Sequence, residues 1–420
     1  NFSPFLILLE MLILPLFLSL MYILSGVDGA NDGTLIFVQA IWRHGDRAPS
    51  KLPYPNDPHN ESAWPRGWSQ LTNVGMQQMY DLGQFFRRRY GSFIGESFNV
   101  NDISLLSSSS DRAVVSAQAM LRGFFPANQQ SMWLQGELWQ PIPFSSMTSD
   151  QDDPMLRPTD YVCPKYDSVM SSFEQVTEEV DNEYSDVFEL LSNVTGFEKV
   201  GFHEATSLYN IKREVLHNMS EPFWVFQTWP SHENKTTLEI LEEIKQIERI
   251  SEFNSSEKAK LRGGLLAANW IERALNVSKD VQKKPKKMML FSAHDGTVLS
   301  LMYAMKVGND LLVPYSACLI MEIYRTNNNE TQVKLLYRNS TQTDGVYVMI
   351  VPGCKETCFI QDLSELVNGE TVNSICQLRK ECGLTANSCY PGCSDGGNMA
   401  SYSIISTALI FSLLYELISS

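Results

Sequence analysis

The sequence has no excess of basic residues, no internal repeat and no low-complexity stretch. Lys and Arg number 33 against 48 Asp and Glu, so the formal net charge is −15. A surface of this sign repels nucleic acids, and we exclude them as partners. With 24 Gly, 19 Pro and a hydrophobic fraction of 44%, the chain is neither collagen-like nor disordered. Its 420 residues suffice for one large globular domain or two smaller ones.

Basic residues are also missing around the apolar run at the N-terminal end. Phe2 to Leu24 is almost wholly apolar, and the small residues Ser25, Gly26, Gly29 and Ala30 follow it. This pattern predicts a signal peptide over residues 1–30, in preference to a signal anchor. The chain begins with Asn1 rather than Met, so Met11 as the true start and a fragment both stay open.

A second apolar run, Tyr402 to Ile418, has no Lys or Arg after it. Small polar residues at 394–398 precede it, as in a signal for a GPI anchor, whereas a spanning helix usually has basic residues on its cytoplasmic side. We therefore predict a GPI-type signal or membrane anchor over residues 394–420, favouring the GPI signal. The expected location is the secretory pathway, ending outside the cell, at the cell surface or in lysosomes.

Cysteines and glycosylation sequons agree with an oxidising compartment. Cysteines cluster from Cys354 to Cys393, but their spacing is poor for zinc and no His lies beyond His294, so disulfides are the better explanation. Between the two apolar ends of the chain, eight Asn-X-Ser/Thr sequons predict a glycosylated surface. The acceptors are Asn60, Asn193, Asn218, Asn234, Asn254, Asn276, Asn329 and Asn339.

Three apolar runs are each followed by polar residues and then by a helical pattern. Continuous apolar runs are typical of strands buried on both faces of a sheet. We therefore predict an α/β fold in which helices flank a central, mostly parallel sheet and ligands bind at the carboxyl ends of the strands. The runs are GTLIFVQAIW (33–42) before Arg43 and His44, ISLLS (103–107) before Arg112, and KMMLFSA (287–293) before His294.

The stretch between the second and third runs has a different character. It is acidic, carries five of the eight sequons, and places Leu238, Leu241, Ile244 and Ile247 at three-residue steps. We interpret it as a smaller helical cap domain over the sheet. The predicted division is 31–162 for the first part of the α/β core, 163–281 for the cap, and 282–393 for the second part of the core.

The loop after the first run combines groups that suit phosphate chemistry. Arg43 and Arg47 flank His44 within seven residues, with Gly45 allowing close backbone approach. Two guanidinium groups beside an imidazole suit a tetrahedral dianion, because arginine offers planar, paired donors to phosphate. The imidazole of His44 can then act as a nucleophile.

The other two junctions add matching groups. Arg112 follows small polar residues at a predicted helix N-terminus, which is a favourable site for an anion. His294 and Asp295 are adjacent, so one can bind a phosphoryl oxygen while the other reaches the leaving group. Together the three junctions predict a phosphate-binding active site.

With these motifs the chain resembles the histidine acid phosphatase family, in particular its prostatic and lysosomal acid phosphatase branch, over about residues 34–376. The RHGDRAP loop at 43–49 is the signature of that family. The order in which further matching segments follow it argues against a chance match. These segments are SQLTNVGMQQMYDLGQFFRRRY (69–90), SSDRAVVSAQAM (109–120), SAHDGTVL (292–299), and YRNSTQT (337–343) through PGCKETC (352–358).

The resemblance implies an acid phosphatase that hydrolyses phosphate monoesters through a phosphohistidine, with an acidic pH optimum and neither a metal nor another cofactor. His44 matches the nucleophile, and Asp295 matches the general acid that protonates the leaving alcohol. Phytase-like members have His-Ala-Glu where this chain has His294-Asp295, which implies broad tolerance of monoesters. The residues that match the phosphate-binding positions are Arg43, Arg47, Arg112 and His294.

The resemblance also implies disulfides and partners. The expected bridges are Cys163–Cys376 and Cys354–Cys358. Cys318 matches a family half-cystine whose partner position holds Arg213 here, so it is either free or paired with one of Cys382, Cys389 and Cys393. Expected partners are small phosphomonoesters, phosphoproteins and a second copy of the chain in a homodimer.

Alternative classes receive less support. A Cys-x5-Arg phosphatase is excluded because no cysteine has an arginine six positions later. A binuclear metallophosphatase needs more clustered His and carboxylate ligands than the sequence offers. The remaining alternative is a surface or secreted glycoprotein that uses a phosphatase scaffold without activity.

Overall fold

A computed structural model of the chain describes residues 33–146, 153–171, 173–341 and 343–384. The predicted signal peptide (1–30) and C-terminal signal (394–420) lie outside these residues, as do Cys389 and Cys393. Within the described ranges, no helix combines the length and the apolar character needed to cross a membrane.

The sheet that organises the molecule has a parallel half and an antiparallel half. Strands β1, β6, β2 and β3 run parallel in that spatial order, and β7 pairs antiparallel with the other side of β1. Beyond it, β8 is antiparallel to β7 and carries β9 and β10. The strands are β1 (Gly33–Arg43), β2 (Ile103–Ser107), β3 (Ser145–Ser146), β4 (Thr228–Trp229), β5 (Lys235–Thr236), β6 (Met288–Ala293), β7 (Cys318–Thr326), β8 (Thr331–Arg338), β9 (Tyr347–Met349) and β10 (Cys358–Phe359).

Helices cover both faces of this sheet, so the predicted fold class is confirmed. Short 3-10 turns occur at Glu61–Ala63, Tyr209–Ile211, Phe223–Phe226, Pro230–His232 and Asn368–Glu370. The α-helices are α1 (Asn73–Ile94), α2 (Asp111–Phe124), α3 (Pro164–Met170), α4 (Phe173–Glu183), α5 (Ser185–Thr195), α6 (Phe202–Leu208), α7 (Lys212–Leu216), α8 (Thr237–Ser251), α9 (Ser256–Ser278), α10 (Asp295–Ala304), α11 (Ile360–Leu366) and α12 (Ile375–Glu381).

Strand β1 is apolar along its length because it contributes to a hydrophobic core on each face. Phe37 and Ile41 pack with α9, α10 and α11 on one face, while Val38 and Trp42 pack with α1 and α2 on the other. Successive side chains of a strand point to opposite faces, so a strand covered on both sides needs apolar residues at odd and at even positions.

A third hydrophobic core lies in the helical region. It is built mainly from α4, α5, α6 and α8, and it includes Leu241 and Ile244 from the periodic pattern seen in the sequence. Thr236 begins α8 with a capping box, in which its side chain accepts from the backbone of Glu239 and the Glu239 side chain accepts from the backbone of Thr236. The next helix, α9, packs on the sheet instead. The domain boundaries given above stay a prediction.

The disulfides differ in part from those expected. Cys354 is bonded to Cys358, but Cys163 is bonded to Cys382, so the predicted Cys163–Cys376 bridge is wrong. Cys382 follows Leu378 by one helical turn, and both are buried on the side of α12 that packs against Cys163. Cys376 lies elsewhere around the helix and is itself disulfide-bonded. Cys318 is free and buried, which was one of the two alternatives.

The predicted glycosylation acceptors are accessible. Six of the eight are exposed, and Asn276 and Asn339 are partly exposed. This exposure is compatible with glycans at these positions, and their modification stays a prediction.

Candidate active site

Three neighbouring parallel strands, β1, β6 and β2, bring the polar residues that follow them to one edge of the sheet. The backbone N–H of His44 donates to the carbonyl of Ala293 at 3.0 Å, and the N–H of Ser108 donates to the carbonyl of Ser292 at 3.0 Å. These bonds continue the strand pairing past the strand ends. The residues predicted from separate parts of the sequence therefore meet where parallel strands place ligands.

The loop that follows β1 is held against the first turn of α1. A Cβ on Gly45 would lie 2.2 Å from the carbonyl oxygen of Gly75, and one on Gly75 would lie 2.1 Å from that of Asp46, so neither position can carry a side chain. Thr72 caps α1 by accepting from Gly75 N–H at 3.0 Å, and its hydroxyl donates to Asp46 Oδ2 at 2.5 Å. This packing holds the backbone on both sides of Gly45 in one position.

His44 is buried, and one of its ring nitrogens is hydrogen-bonded to the backbone. Its Nδ1 lies 2.8 Å from the carbonyl oxygen of Gly45. A carbonyl can only accept, so Nδ1 carries the proton and Nε2 keeps its lone pair. Burial, followed by the charges of His294 and Arg43, lowers the pKa of His44 well below its usual value. The imidazole is therefore neutral, and its Nε2 is available as a nucleophile.

Three arginines surround this imidazole with donors that the protein itself does not use. In the described part of the chain, the buried Nε atoms of Arg43, Arg47 and Arg112 have no hydrogen-bond partner. Burial lowers the pKa of Arg47 and Arg112, and neighbouring arginines lower both further. Buried cations with unused donors favour an anion that offers several oxygens.

His294 precedes α10 and connects the ends of β6 and β2. Its Nδ1 accepts from Arg112 Nη2 at 3.4 Å, and its Nε2 lies 2.8 Å from Ser108 Oγ. The His294 ring is 5.5 Å from that of His44, measured between centroids. The side chain thus lies among the arginines, as the sequence predicts. Burial and then Arg112 lower the pKa of His294 well below its usual value.

Asp295, the first residue of α10, is not free. Arg249, near the end of α8, forms a two-point ion pair with it: Nε lies 3.2 Å from Oδ2, and Nη2 lies 3.1 Å from Oδ1. Arg249 also donates to both carboxylate oxygens of Glu252 at 2.7 and 2.9 Å. Burial alone would raise the pKa of Asp295, but Arg249, and after it Arg43, hold that pKa well below its usual range.

Sequence reasoning missed Arg249 as a site residue. It is 46 residues before Asp295, in a helix whose pattern shows only an amphipathic element. No local motif signals such a contact, because it exists only once α8 has docked beside α10.

Tyr315 and Arg213 form a second part of the site that the sequence did not reveal. The Tyr315 ring lies 5.9 Å from the ring of His44, and Arg43 stacks over it at 4.1 Å from the centroid. Arg213 Nε donates to the Tyr315 hydroxyl at 2.8 Å. The sequence marked Arg213 only as a replacement for a family half-cystine. In the structure it is a further cation close enough to lower the pKa of Arg47.

His217, just after α7, contacts the RHGDRAP loop (43–49) from the helical region. Its Nε2 lies 2.6 Å from Asp46 Oδ2. The loop is therefore held by α1 through Thr72 and by the helical region through His217.

Comparison with known proteins identifies the family of the chain. Residues 34–338 match the histidine phosphatase superfamily (branch 2). Prostatic acid phosphatase of Rattus norvegicus is 35% identical over 346 residues, 81% of this chain and 88% of that protein. Lysosomal acid phosphatase of Homo sapiens is 32% identical over 352 residues, 82% of this chain and 81% of that protein.

Solved structures with a similar fold include two bacterial phytases. The apo phytase of Hafnia alvei has a TM-score of 0.60 and 14% identity, covering 84% of this chain and 99% of that one. The phytase of Citrobacter braakii has a TM-score of 0.61 and 15% identity, covering 83% and 99%. At these identities the likeness shows the fold alone. The sequence matches carry the assignment further, and on them the chain belongs to the histidine phosphatase superfamily, branch 2, among relatives that are acid phosphatases.

Proposed function

We propose that the chain hydrolyses phosphate monoesters in two steps through a phosphohistidine on His44. The observation that carries this proposal is the buried imidazole of His44, whose Nδ1 is bonded to the carbonyl of Gly45, beside three arginines whose buried Nε donors have no partner in the described residues. The expected substrates are small phosphomonoesters, with phosphoproteins as a second class.

In the first step, the lone pair of His44 Nε2 attacks phosphorus and the P–O ester bond breaks. Arg43, Arg47, Arg112 and His294 bind the equatorial oxygens and stabilise the charge that they carry in the transition state. Asp295 gives its proton to the leaving oxygen, and the alcohol departs.

In the second step, the Asp295 carboxylate accepts a proton from water. The water oxygen attacks phosphorus, the N–P bond breaks, and inorganic phosphate leaves with His44 restored to its neutral form. The arginines supply the positive charge that a metal ion provides in other phosphatases, so neither step needs a metal or another cofactor.

Asp295 must be protonated before the first step, and this requirement gives the reaction an acidic optimum. Arg249 and Arg43 oppose protonation, whereas a bound phosphate dianion promotes it by repelling the carboxylate. Activity therefore declines as pH rises through the pKa of Asp295 in the substrate complex.

Hydrolysis of p-nitrophenyl phosphate by the full chain across pH, with and without EDTA, tests this function. We expect activity in acid that is insensitive to EDTA. His44→Ala should abolish it, while His203→Ala, an exposed histidine of the helical region, serves as the matched control.

The intermediate is tested separately. The enzyme reacts with a substrate labelled in its phosphate group, the reaction is quenched, and the label bound to the protein is measured. A phosphoramidate is labile in acid and stable in alkali, so label retained only in alkali and lost in His44→Ala supports the mechanism. An inactive but correctly folded wild type would instead favour a glycoprotein role without catalysis.

A further inference from the structure

A second cluster of ionisable side chains lies outside the candidate active site. It lies between α7 and residues 57–59, which follow the RHGDRAP loop in the chain. His59 comes from the loop, Glu214 from α7, and Glu221 from the segment after it. One ligand atom of each lies within 4.8 Å of the others. Asp57 adjoins the same group, since its Oδ1 accepts from the backbone N–H of His59 at 2.8 Å.

The carboxyl oxygens of this cluster are buried and have no basic partner. Glu214 is 0% exposed, and within the described residues no N–H or hydroxyl group donates to its oxygens, to those of Glu221 or to Oδ2 of Asp57. Glu214 and Asp57 are instead hydrogen-bonded to each other, which places a proton between these two carboxyl groups. No ion pair joins any of the three to a Lys or Arg of the described ranges. Buried carboxylates without a counter-charge are costly, so something must neutralise them.

His59 is oriented as a metal-binding histidine would be. Its Nε2 lies 2.9 Å from the carbonyl oxygen of Ser220, which can only accept, so Nε2 carries the proton and Nδ1 keeps its lone pair. Histidine ligands typically donate their other ring N–H to a carbonyl or carboxylate in this way.

We propose that His59, Glu214 and Glu221 bind one divalent transition-metal ion of the Zn²⁺ and Mn²⁺ class. One imidazole nitrogen with carboxylate oxygens suits these ions, whereas Ca²⁺ and Mg²⁺ prefer oxygen ligands alone. Asp57 supports the site by holding the backbone of His59 and adds negative charge beside it.

Protons are the rival means of neutralisation. Burial and then Asp57 raise the pKa of Glu214 to about 9, and burial raises the pKa of Glu221 to about 7. Protons and a metal ion compete for the same oxygens. A metal-binding cluster and a purely protonated one therefore respond differently to added metal.

The position of the cluster gives the ion a structural role. Helix α7 also carries Arg213, which donates to Tyr315, and His217 follows it to contact Asp46. An ion that joins α7 to the 57–59 loop stabilises the junction between the helical region and the RHGDRAP loop (43–49). The role is one of stability and is separate from phosphoryl transfer.

Calorimetric titration of the purified, metal-stripped full chain with ZnCl2 or MnCl2 at pH 7.5 tests the proposal, together with thermal unfolding. We expect about one equivalent bound and a melting temperature raised by about 5 °C at saturation. Glu214→Gln and Glu221→Gln should each remove both effects. Glu365→Gln, an exposed carboxylate on α11, should retain them.

Other outcomes overturn the proposal. Absence of binding to the wild type would mean that protons alone neutralise the cluster. Equal binding by wild type and both variants would place the metal elsewhere. Glu214→Gln keeps the size of the side chain and adds no charge, so the variant should fold, and Glu221→Gln, at a partly exposed position, provides the same test independently. Because binding and unfolding are measured without turnover, these results are independent of the phosphatase proposal.

Discussion

Arg249 and Asp295 form a two-point ion pair across 46 residues of sequence, with distances of 3.1 and 3.2 Å. The arginine comes from α8 in the helical region and the carboxylate from α10 beside the sheet. The pair stabilises the ionised form of the group that we propose as the general acid. Helix α8 therefore influences the pH at which this acid can donate a proton.

Replacing Arg249 by Met should shift the pH profile of the reaction. Without the guanidinium the pKa of Asp295 rises, and because the acid acts in its protonated form, the decline of activity at high pH should move upward by about one to two pH units. The pH profile of kcat for an alkyl phosphate, which reports the pKa in the substrate complex, measures this shift. Glu252→Gln, which alters only the other partner of Arg249, is the control. An unmoved profile in Arg249→Met would show that the ion pair does not govern the acid.

Replacing Asp295 by Asn should affect substrates according to their leaving groups. A poor leaving group needs a proton in the first step, so kcat/KM for an alkyl phosphate should fall about 100-fold or more, whereas kcat/KM for p-nitrophenyl phosphate should fall about 10-fold or less. Parallel measurements of kcat/KM, which reports only the steps up to release of the alcohol and excludes the common hydrolysis step, give the ratio, with the exposed Asp362→Asn as a control. Equal losses on the two substrates would exclude Asp295 as the proton donor.

Replacing Arg213 by Met should weaken substrate binding more than turnover. The change removes the hydrogen bond to Tyr315 and a cation near Arg47, so we expect KM to rise about 3- to 10-fold with a smaller change in kcat. Lys212→Met, at the neighbouring position, is the control for loss of a surface cation. A fall in kcat at unchanged KM would instead assign Arg213 to the transition state.

The Cys163–Cys382 bridge predicts different effects for two neighbouring cysteines. Cys382→Ser should leave Cys163 unpaired and lower stability by about 2–5 kcal/mol, measured by thermal or denaturant unfolding. In Cys376→Ser, Cys163 and Cys382 should remain linked. Trypsin cuts after Arg379 and Lys380, so it places Cys376 and Cys382 in different peptides. Peptide mapping without reduction then shows which of them is linked to Cys163. A peptide containing Cys163 linked to one containing Cys376 would contradict the structure.

Much of the fold and of the candidate site could be predicted from sequence. The family and the fold class are confirmed, and the structure brings His44, Arg43, Arg47, Arg112 and His294 together at one sheet edge. These five residues could be predicted because each of them directly follows or lies close after a recognisable buried strand. The catalytic roles of these residues remain predictions, as do the domain boundaries.

The sequence by itself determined what depends on local spacing: the strand β1 buried on both faces and the polar residues at the strand ends. Tertiary structure alone decided which distant side chains meet there, including the Arg249–Asp295 pair, the contact of Arg213 with Tyr315, and the choice of Cys382 by Cys163. The physical reason is that backbone periodicity is encoded within a few residues. Contacts between elements far apart in sequence exist only after those elements have packed, and packing depends on the whole core rather than on any one motif.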